Sequence, residues 1–411
     1  MIDIYIYLSL GLLFFQKVRL AKILPVPTAL ITFYPLTRGV IELLSINDLS
    51  LETKSLIFQS YIIEIIIFTL LIYLFKKYLK INPFNYSKNT NIDNFDKLFI
   101  IVSIIGISSL SFLFSSSGEV GDSRNLVYQG LGPIRYLFTS LNFITTYGCF
   151  NKISKFYFYK KSYNKPILYW IILLLILIAG FFSGSKKGLL ILLPLMFYFF
   201  IINFNFDRIR KAFISKNLLK ISFFSSFLII PTIIIIRLRK NNFDEALYAL
   251  FKRIQYTSGY NFILDKALNN GILKENPFQE NVFSFITYYF SRSDISMNIG
   301  NNLKSLALNK SVIGGPVANS IKSYFLMSSQ DPFSFSMLLF CLNHILILLF
   351  IGYVIKLSAT KDSFIMNGIT LSLCTFLFTS FYDAYVLYSV LIPILFIFFG
   401  YFLTIKFKIL R

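Results

Sequence analysis

The sequence has few cysteines, one histidine and few charged residues, and these shortages limit what the protein can be. Its three cysteines (Cys149, Cys341 and Cys374) show no CxxC or zinc-ligand spacing and fit small buried hydrophobes. No P-loop, GxGxxG, HExxH, GxSxG or DxD pattern occurs, which removes the common soluble catalytic motifs. Charged residues form 14% of the chain against 56% hydrophobic ones, and the mean hydropathy is +0.67. A soluble protein of 411 residues could not bury so much apolar surface.

Long apolar runs are what the sequence has instead. Crossing the hydrocarbon core as a helix takes roughly 17–25 apolar residues, and runs of this kind recur along the chain. They predict an all-α polytopic membrane protein with about 11 (10–12) transmembrane helices. The expected spans are residues 2–15, 23–44, 56–75, 98–114, 133–150, 166–183, 188–204, 220–237, 336–357, 364–381 and 386–405.

One polar stretch interrupts this pattern. Residues 237–335 contain no apolar run long enough to cross a bilayer, whereas the other connections are short. We therefore expect a transmembrane bundle of about eight spans at 1–236, a large loop with short helices at 237–335, and about three more spans at 336–411. A large loop on one side of a helical bundle indicates a site that handles something bulky there.

Lysine and arginine are distributed unevenly between alternate loops, and this predicts which side each loop occupies. Twenty-three of them, against four acids, lie in the loops 16–22, 76–97, 151–165, 205–220 and 356–363 and in the tail 406–411. Four bases and five acids lie in the other short loops, 45–55, 115–132, 184–188 and 382–385. Because basic residues accumulate in cytoplasmic loops, the first set is expected inside and the 237–335 loop outside. The net charge of +21 then reflects membrane topology, and no nucleic-acid partner is expected.

The basic residues on the predicted outer side are candidates for binding an anion, since the topology rule works against them there. Arginine matches phosphate oxygens in a two-pronged fashion, and lysine acts as a point charge. A cluster of such cations at an outer membrane face is a natural clamp for a diphosphate. For most of them, a solvated loop charge or a headgroup contact is the competing interpretation. The candidates are Arg124, Lys186, Lys187, Arg253 and Arg292.

Asp294 and His344 are candidates for proton transfer because of their positions, and Glu64 is an ionisable residue within a span. Asp294 follows Arg292 closely in the large loop, and His344 lies near the start of the span after it. A lone histidine in a span is more often a packed, hydrogen-bonded residue than a general base. Glu64 lies in the middle of the span 56–75 with no evident partner nearby in the sequence, so a functional role is open.

The turn Ser183-Gly-Ser-Lys-Lys-Gly188, followed by two leucines, is the most specific local pattern. It is similar to the serine-glycine-serine-arginine turn of the Wzy-type O-antigen polymerases and the related O-antigen ligases, with Lys186 where an arginine is usual. The layout of many spans and one large late loop resembles these polymerases along the whole chain. Arg124 and Arg292, each eight residues before a glycine, stand in the two loops where this family carries paired arginine–glycine motifs.

The resemblance implies a GT-C-like, inverting glycosyltransferase of the bacterial inner membrane that needs no metal or cofactor. Such an enzyme joins oligosaccharide repeat units at the periplasmic face, with undecaprenyl diphosphate as carrier and leaving group. Membrane lipids surround it, and a polysaccharide chain-length regulator is a further implied partner. The general base stays open among Asp294, His344 and Glu280. An O-antigen ligase and a lipid-linked oligosaccharide flippase are the alternatives, although a flippase is expected to have evenly short loops.

Overall fold

The structure is a computed structural model that describes a subset of the 411 residues. All of the regular secondary structure among the described residues is helical. This confirms the predicted all-α class for the described part, in which no strand occurs. The described residues are 2–24, 43, 46, 49–80, 96–106, 137, 140–153, 167–182, 260–269, 335–360, 363–379 and 384–409. The predicted spans 188–204 and 220–237, and nearly all of 23–44, lie outside them.

All of the described helices except α6 overlap predicted apolar runs, and several extend beyond the predicted bounds. In chain order they are α1 (Ile2–Ile23), α2 (Leu51–Leu74) with a π-helical continuation (Phe75–Leu79), α3 (96–106), α4 (140–153), α5 (Ile167–Phe182), α6 (Tyr260–Asn269), α7 (Phe335–Ala359), α8 (Phe364–Thr379) and α9 (Ala384–Ile409). Of the described helices, α6 is the one that lies within the predicted large loop. The first span was expected to end at residue 15, and this boundary is wrong because α1 continues through the basic segment to Ile23.

The ends of α2 show how local sequence sets its length. Ser50 is the residue that caps its amino terminus, and its hydroxyl accepts a hydrogen bond from the Thr53 backbone N–H. Glu52 adds a negative charge to the first turn, where the helix dipole favours it. At the other end, the π-helical residues lead to Lys80, whose backbone is left-handed with a φ of 44° and stops the helix. The polar cap thus adds a turn before the apolar run that predicts the span.

Two of the described helices, α1 and α2 with its π-helical continuation, are long and apolar enough to cross a membrane. Each also leaves a row of large apolar side chains exposed at helical spacing. On α1 the row includes Leu8, Leu12 and Phe15, and on α2 it includes Ile62 and Ile66. Exposed apolar rows of this length suit contact with lipid better than contact with water.

Helices α1 and α2 pack against each other in parallel. Near their amino-terminal ends, Asp3 contacts Lys54, and the rings of Tyr5 and Phe58 lie 6.2 Å apart. Further along both helices, Lys17 contacts Glu64. Contacts that advance in the same direction along both helices require a parallel pair. The alternation of predicted spans gives these two helices the same direction, because one further predicted span separates them.

Close packing of α4 against α8 depends on glycine. A Cβ atom at Gly368 would collide with the backbone carbonyl of Ile144, and one at Gly148 would come within 2.8–2.9 Å of the Phe364 ring. The two contacts advance in opposite directions along the helices, so α4 and α8 are antiparallel. Tyr169 of α5 stacks on the same Phe364 ring, with centroids 6.2 Å apart. Phe364, at the amino terminus of α8, therefore packs against both α4 and α5.

Candidate functional site

The amino-terminal end of α2 carries a contact between distant parts of the sequence. The Asp265 carboxylate of α6 accepts three hydrogen bonds there through Oδ1. The donors are the Ser50 backbone N–H at 2.9 Å, the Ser50 hydroxyl at 2.5 Å and the Thr53 hydroxyl at 2.7 Å. One carboxylate oxygen therefore joins a helix of the predicted large loop to a helix of the predicted bundle.

Two charged residues complete this region, which we call the Ser50 end (Asp3, Ser50, Thr53, Lys54 and Asp265). The Lys54 ammonium lies 3.0 Å from Asp3 Oδ1, with the side chains 12% and 40% exposed. The two atoms are close but are not aligned for a hydrogen bond. The contact is thus a partly solvated ion pair beside the Asp265 hydrogen bonds.

A second ion pair lies inside the α1–α2 pair. The Lys17 ammonium is 3.7 Å from Glu64 Oε2, and the two side chains are only 4% and 1% exposed. The ammonium also lies 5.3 Å from the centre of the Phe68 ring, within range of a cation–π interaction. The sequence placed Lys17 in a loop, and this placement is wrong because the ammonium finds a buried acidic partner on α2. Glu64 has the partner that its local sequence does not reveal.

A second carboxylate occupies the amino terminus of α8. The Asp96 carboxylate accepts hydrogen bonds from the Phe364 N–H at 3.2 Å and the Ile365 N–H at 3.3 Å. Ser363 caps the same helix, since its hydroxyl accepts from the Met366 N–H at 3.1 Å. We call this region the Asp96 end (Asp96, Ser363, Phe364, Ile365 and Met366). Both ends thus combine a serine cap with a carboxylate from another segment.

Of the candidate site residues named from the sequence, the structure describes His344. It lies in α7 and is 3% exposed, in the buried surroundings expected of a packed histidine. The others lie outside the described residues, so their arrangement stays a prediction; they are Arg124, Lys186, Lys187, Arg253, Glu280, Arg292 and Asp294.

The sequence analysis did not identify the tertiary contacts of Asp265, Lys17 and Asp96, although the residue spacing around Asp265 gives an indication of one. Within α6, Asn261, Leu264, Asp265 and Leu268 follow the helical spacing i, i+3, i+4 and i+7. A carboxylate on the apolar face of a short helix needs a partner when that face packs. For Lys17, the pattern of charge alone indicated a loop. In each case the partner is too far away in the sequence to be found by local spacing.

Comparison of the chain with family models, with curated proteins and with solved structures found no match. The functional argument therefore depends on the described contacts and on the sequence pattern.

Proposed function

We propose that the chain is a polytopic glycosyltransferase of the bacterial inner membrane that polymerises undecaprenyl-diphosphate-linked oligosaccharide repeat units at the periplasmic face. The observation that carries the proposal is the contact of Asp265 with Ser50 and Thr53. It fastens part of the predicted large loop to the end of a helix that is able to cross a membrane. A loop held over a bundle is suited to a bulky, lipid-linked substrate, whereas a flippase has no evident need for one.

The contacts at the two ends support the sidedness on which the proposal depends. Asp265 and Ser50 belong to loops that the charge count places outside, and they are in contact. Asp96 belongs to a loop that the same count places inside, and it contacts Phe364, which follows another predicted inner loop. Contacts between loops on opposite predicted sides would have argued against this topology.

The proposed reaction is an inverting transfer without a metal. A sugar hydroxyl of the acceptor attacks the anomeric carbon of the donor, a new C–O bond forms, and the bond to the diphosphate oxygen breaks. Undecaprenyl diphosphate leaves with the bonding electron pair, and a general base takes the hydroxyl proton. Cations near the departing diphosphate stabilise its developing charge, and we assign this role to Arg124, Lys186, Lys187, Arg253 and Arg292.

The burial of His344 bears on the choice of general base. A base must come within hydrogen-bonding distance of the acceptor hydroxyl, directly or through one water. His344 lies within α7 and is 3% exposed. Its burial favours a packing role, so Asp294 and Glu280 are the first residues to test as the base.

Deletion of the gene followed by gel analysis of lipopolysaccharide tests the reaction class. We expect the ladder of chain lengths to disappear while a single repeat unit remains on the lipid A–core. Loss of every unit would instead indicate the flippase or the ligase, because no repeat unit reaches the lipid A–core when either of those proteins is absent. Complementation with the unaltered gene should restore the ladder.

Paired lysine variants test the assigned diphosphate site in the same strain. We expect Lys186→Ala with Lys187→Ala to leave a single unit, and transfer by the purified protein to fall by about 100-fold, the typical effect of removing a charge-stabilising group. The matched control is Lys160→Ala with Lys161→Ala, an adjacent lysine pair in a predicted inner loop. Arg292→Ala should behave as the first pair does. Normal ladders from both the 186/187 pair and Arg292→Ala would contradict the assignment.

A further inference from the structure

The carboxyl-terminal end of α2 carries a group of exposed lysines and tyrosines, which we call the Lys77 patch (Tyr73, Lys76, Lys77, Tyr78 and Lys80). The three lysines are exposed, and the side chains of Tyr73 and Tyr78 are 54% and 61% exposed. The Lys77 ammonium donates a hydrogen bond to the Tyr73 hydroxyl at 3.1 Å. It also lies 5.4 Å from the centre of the Tyr73 ring and 5.1 Å from that of the Tyr78 ring. The two tyrosines therefore restrain an ammonium that stays exposed.

Packing against α7 sets the orientation of this end of α2. Phe75 and Leu79, the first and last residues of the π-helical turn, lie against Gly352 of α7. A Cβ atom at Gly352 would come within 2.5 Å of Phe75 Cζ and 2.8 Å of Leu79 Cδ1. Phe75 is 1% exposed, whereas the three residues between Phe75 and Leu79 are exposed. The packed side of the turn therefore leaves lysine and tyrosine on its other side, and π-helical turns are frequent at functional sites.

The sequence around this contact contains lysines and no acids. No Asp or Glu occurs from residue 65 to residue 92, or from residue 335 to residue 361, the stretch that contains α7. A further lysine, Lys356, lies in the last turn of α7, four residues after Gly352. An anion that approaches the Lys77 patch would thus meet positive charge on α2 and no acid in the adjoining sequence of either helix.

The position of the patch indicates the kind of anion. The helix α2 with its π-helical continuation is long and apolar enough to cross a membrane, and the patch occupies its last turns. Tyrosine side chains favour the level of the lipid headgroups, where the ring meets acyl chains and the hydroxyl meets water. Lysines at that level are attracted to anionic lipids. A phosphate that belongs to a lipid is therefore a better match than one in solution.

We propose that the Lys77 patch binds the phosphate headgroup of an anionic phospholipid. The three ammonium groups face the phosphate oxygens, and the tyrosine rings lie against the upper part of the acyl chains. An ammonium has three N–H donors, so Lys77 can donate to a phosphate oxygen and keep its bond to Tyr73. This site does not depend on the proposed reaction, because it lies at the opposite end of α2 from Ser50 and Asp265.

Quenching of a tryptophan by brominated lipid tests the site in the full chain. Trp170, the only tryptophan of the sequence, is replaced by Phe, and Leu70→Trp introduces a probe on the face of Tyr73 and Lys77, three and seven residues before them. Leu70 is 39% exposed and lies outside the patch.

The protein is reconstituted in phosphatidylcholine vesicles with a small fraction of brominated phosphatidylglycerol or brominated phosphatidylcholine, whose bromine quenches a neighbouring tryptophan. We expect the anionic lipid to be preferred beside the Leu70→Trp probe by about fivefold or more, the effect of one lysine near an anionic surface. Equal quenching by the two lipids would overturn the proposal.

Lysine variants connect this preference to the patch. The triple variant replaces its three lysines with glutamine and should abolish the preference, and Lys77→Gln alone should lower it by about two- to fivefold. Lys77→Arg keeps the charge and should keep the preference. The matched control, Lys22→Gln, removes one exposed lysine at the same end of α1 and should change the preference by less than about twofold. An unchanged preference in the triple variant would overturn the proposal.

Two further measurements distinguish a local lipid site from other effects of charge. In a chain that keeps Leu70 and Trp170, the native tryptophan of α5 is 38% exposed, and its quenching should not respond to the triple variant. An equal response there would show that the lysines act through overall charge, and would overturn the site. Inorganic phosphate, compared with sodium chloride of the same ionic strength, should not reduce the preference at the Leu70→Trp probe. A loss specific to phosphate would show that the patch takes a free anion, and would overturn the assignment to a lipid.

Discussion

The interior of the α1–α2 pair and its Ser50 end each join a lysine of one helix to an acid of the other. The interior pair, Lys17 and Glu64, has its charged atoms 3.7 Å apart and its side chains 4% and 1% exposed. The pair at the end, Lys54 and Asp3, is closer at 3.0 Å but has side chains 12% and 40% exposed. The two contacts share helices and residue classes, so burial is the main difference between them.

The comparison indicates that the distance between the charged atoms does not by itself determine which ion pair matters more for stability. Two unit charges 4 Å apart attract by about 1 kcal/mol in water and about 4 kcal/mol at an effective dielectric constant of 20. Burial also removes water that would otherwise solvate each charge. The longer, buried pair should therefore respond more strongly to the loss of one partner than the shorter, solvated pair does.

The interior pair gives the largest expected effect. Lys17→Met keeps the length of the side chain but leaves the Glu64 carboxylate buried without this ammonium. We expect a loss of about 3–5 kcal/mol in stability, the usual cost of breaking a buried pair from one side. Thermal unfolding in detergent, followed by fluorescence-detected size exclusion, measures the change against the unaltered chain.

The control for this prediction removes both charges. Lys17→Met with Glu64→Gln leaves no charged group of the pair in the interior, so most of the lost stability should return. A single variant with unchanged stability would show that burial does not set the strength of this contact. A double variant no better than Lys17→Met would show that the loss comes from packing, including packing on Phe68.

The two helix-capping carboxylates extend the comparison to the Asp96 end. Asp96 is fully buried, as are Phe364, Ile365 and Met366 beside it, whereas Asp265 of the ten-residue helix α6 is 9% exposed. Asp96→Ala should cost about 2–4 kcal/mol, because it leaves two buried N–H groups without their acceptor. Asp265→Ala should cost about 1–2 kcal/mol, because Asp265 is less buried than Asp96 and the Ser50 hydroxyl can still donate to the Thr53 hydroxyl.

The same unfolding assay measures both variants, and their conservative partners serve as controls. Asp96→Asn keeps an acceptor oxygen and should recover part of the loss at the Asp96 end. Asp265→Asn should do the same at the Ser50 end. Equal losses for the two alanine variants would contradict the distinction between a fully buried carboxylate and one that is 9% exposed.

The sequence predicts a described helix well where the residues of that helix determine its position and its ends. The apolar run at 56–75 locates α2, and Ser50 and Glu52 account for the extra first turn. The end of α1 was missed, because Lys17 lowers the local hydropathy while its partner, Glu64, lies on another helix. Charge in a sequence indicates a loop only when no buried partner is available.

The candidate site shows the same limit. Residue type and predicted side selected His344, and the structure buries it. The contact of Asp265 with Ser50 joins residues 215 positions apart, and no local pattern predicts such a pair. Charge counting did place both residues on one side. The contact agrees with that prediction, whereas the identity of the partner of a polar residue depends on tertiary packing.

The Asp3–Lys54 pair gives the smallest expected effect and tests the comparison at its weaker side. Asp3→Asn removes one charge at nearly constant shape from a side chain that is 40% exposed. Exposed ion pairs contribute about 0.2–1 kcal/mol, and the Asp3 carboxylate is far more exposed than that of Glu64. Because salt screens exposed charges but reaches buried ones poorly, raising the salt from low to about 1 M should remove most of this small difference. The effect of Lys17→Met should change little under the same conditions. If Asp3→Asn instead destabilised the protein as much as Lys17→Met does, distance rather than burial would rank the two contacts, and the comparison would fail.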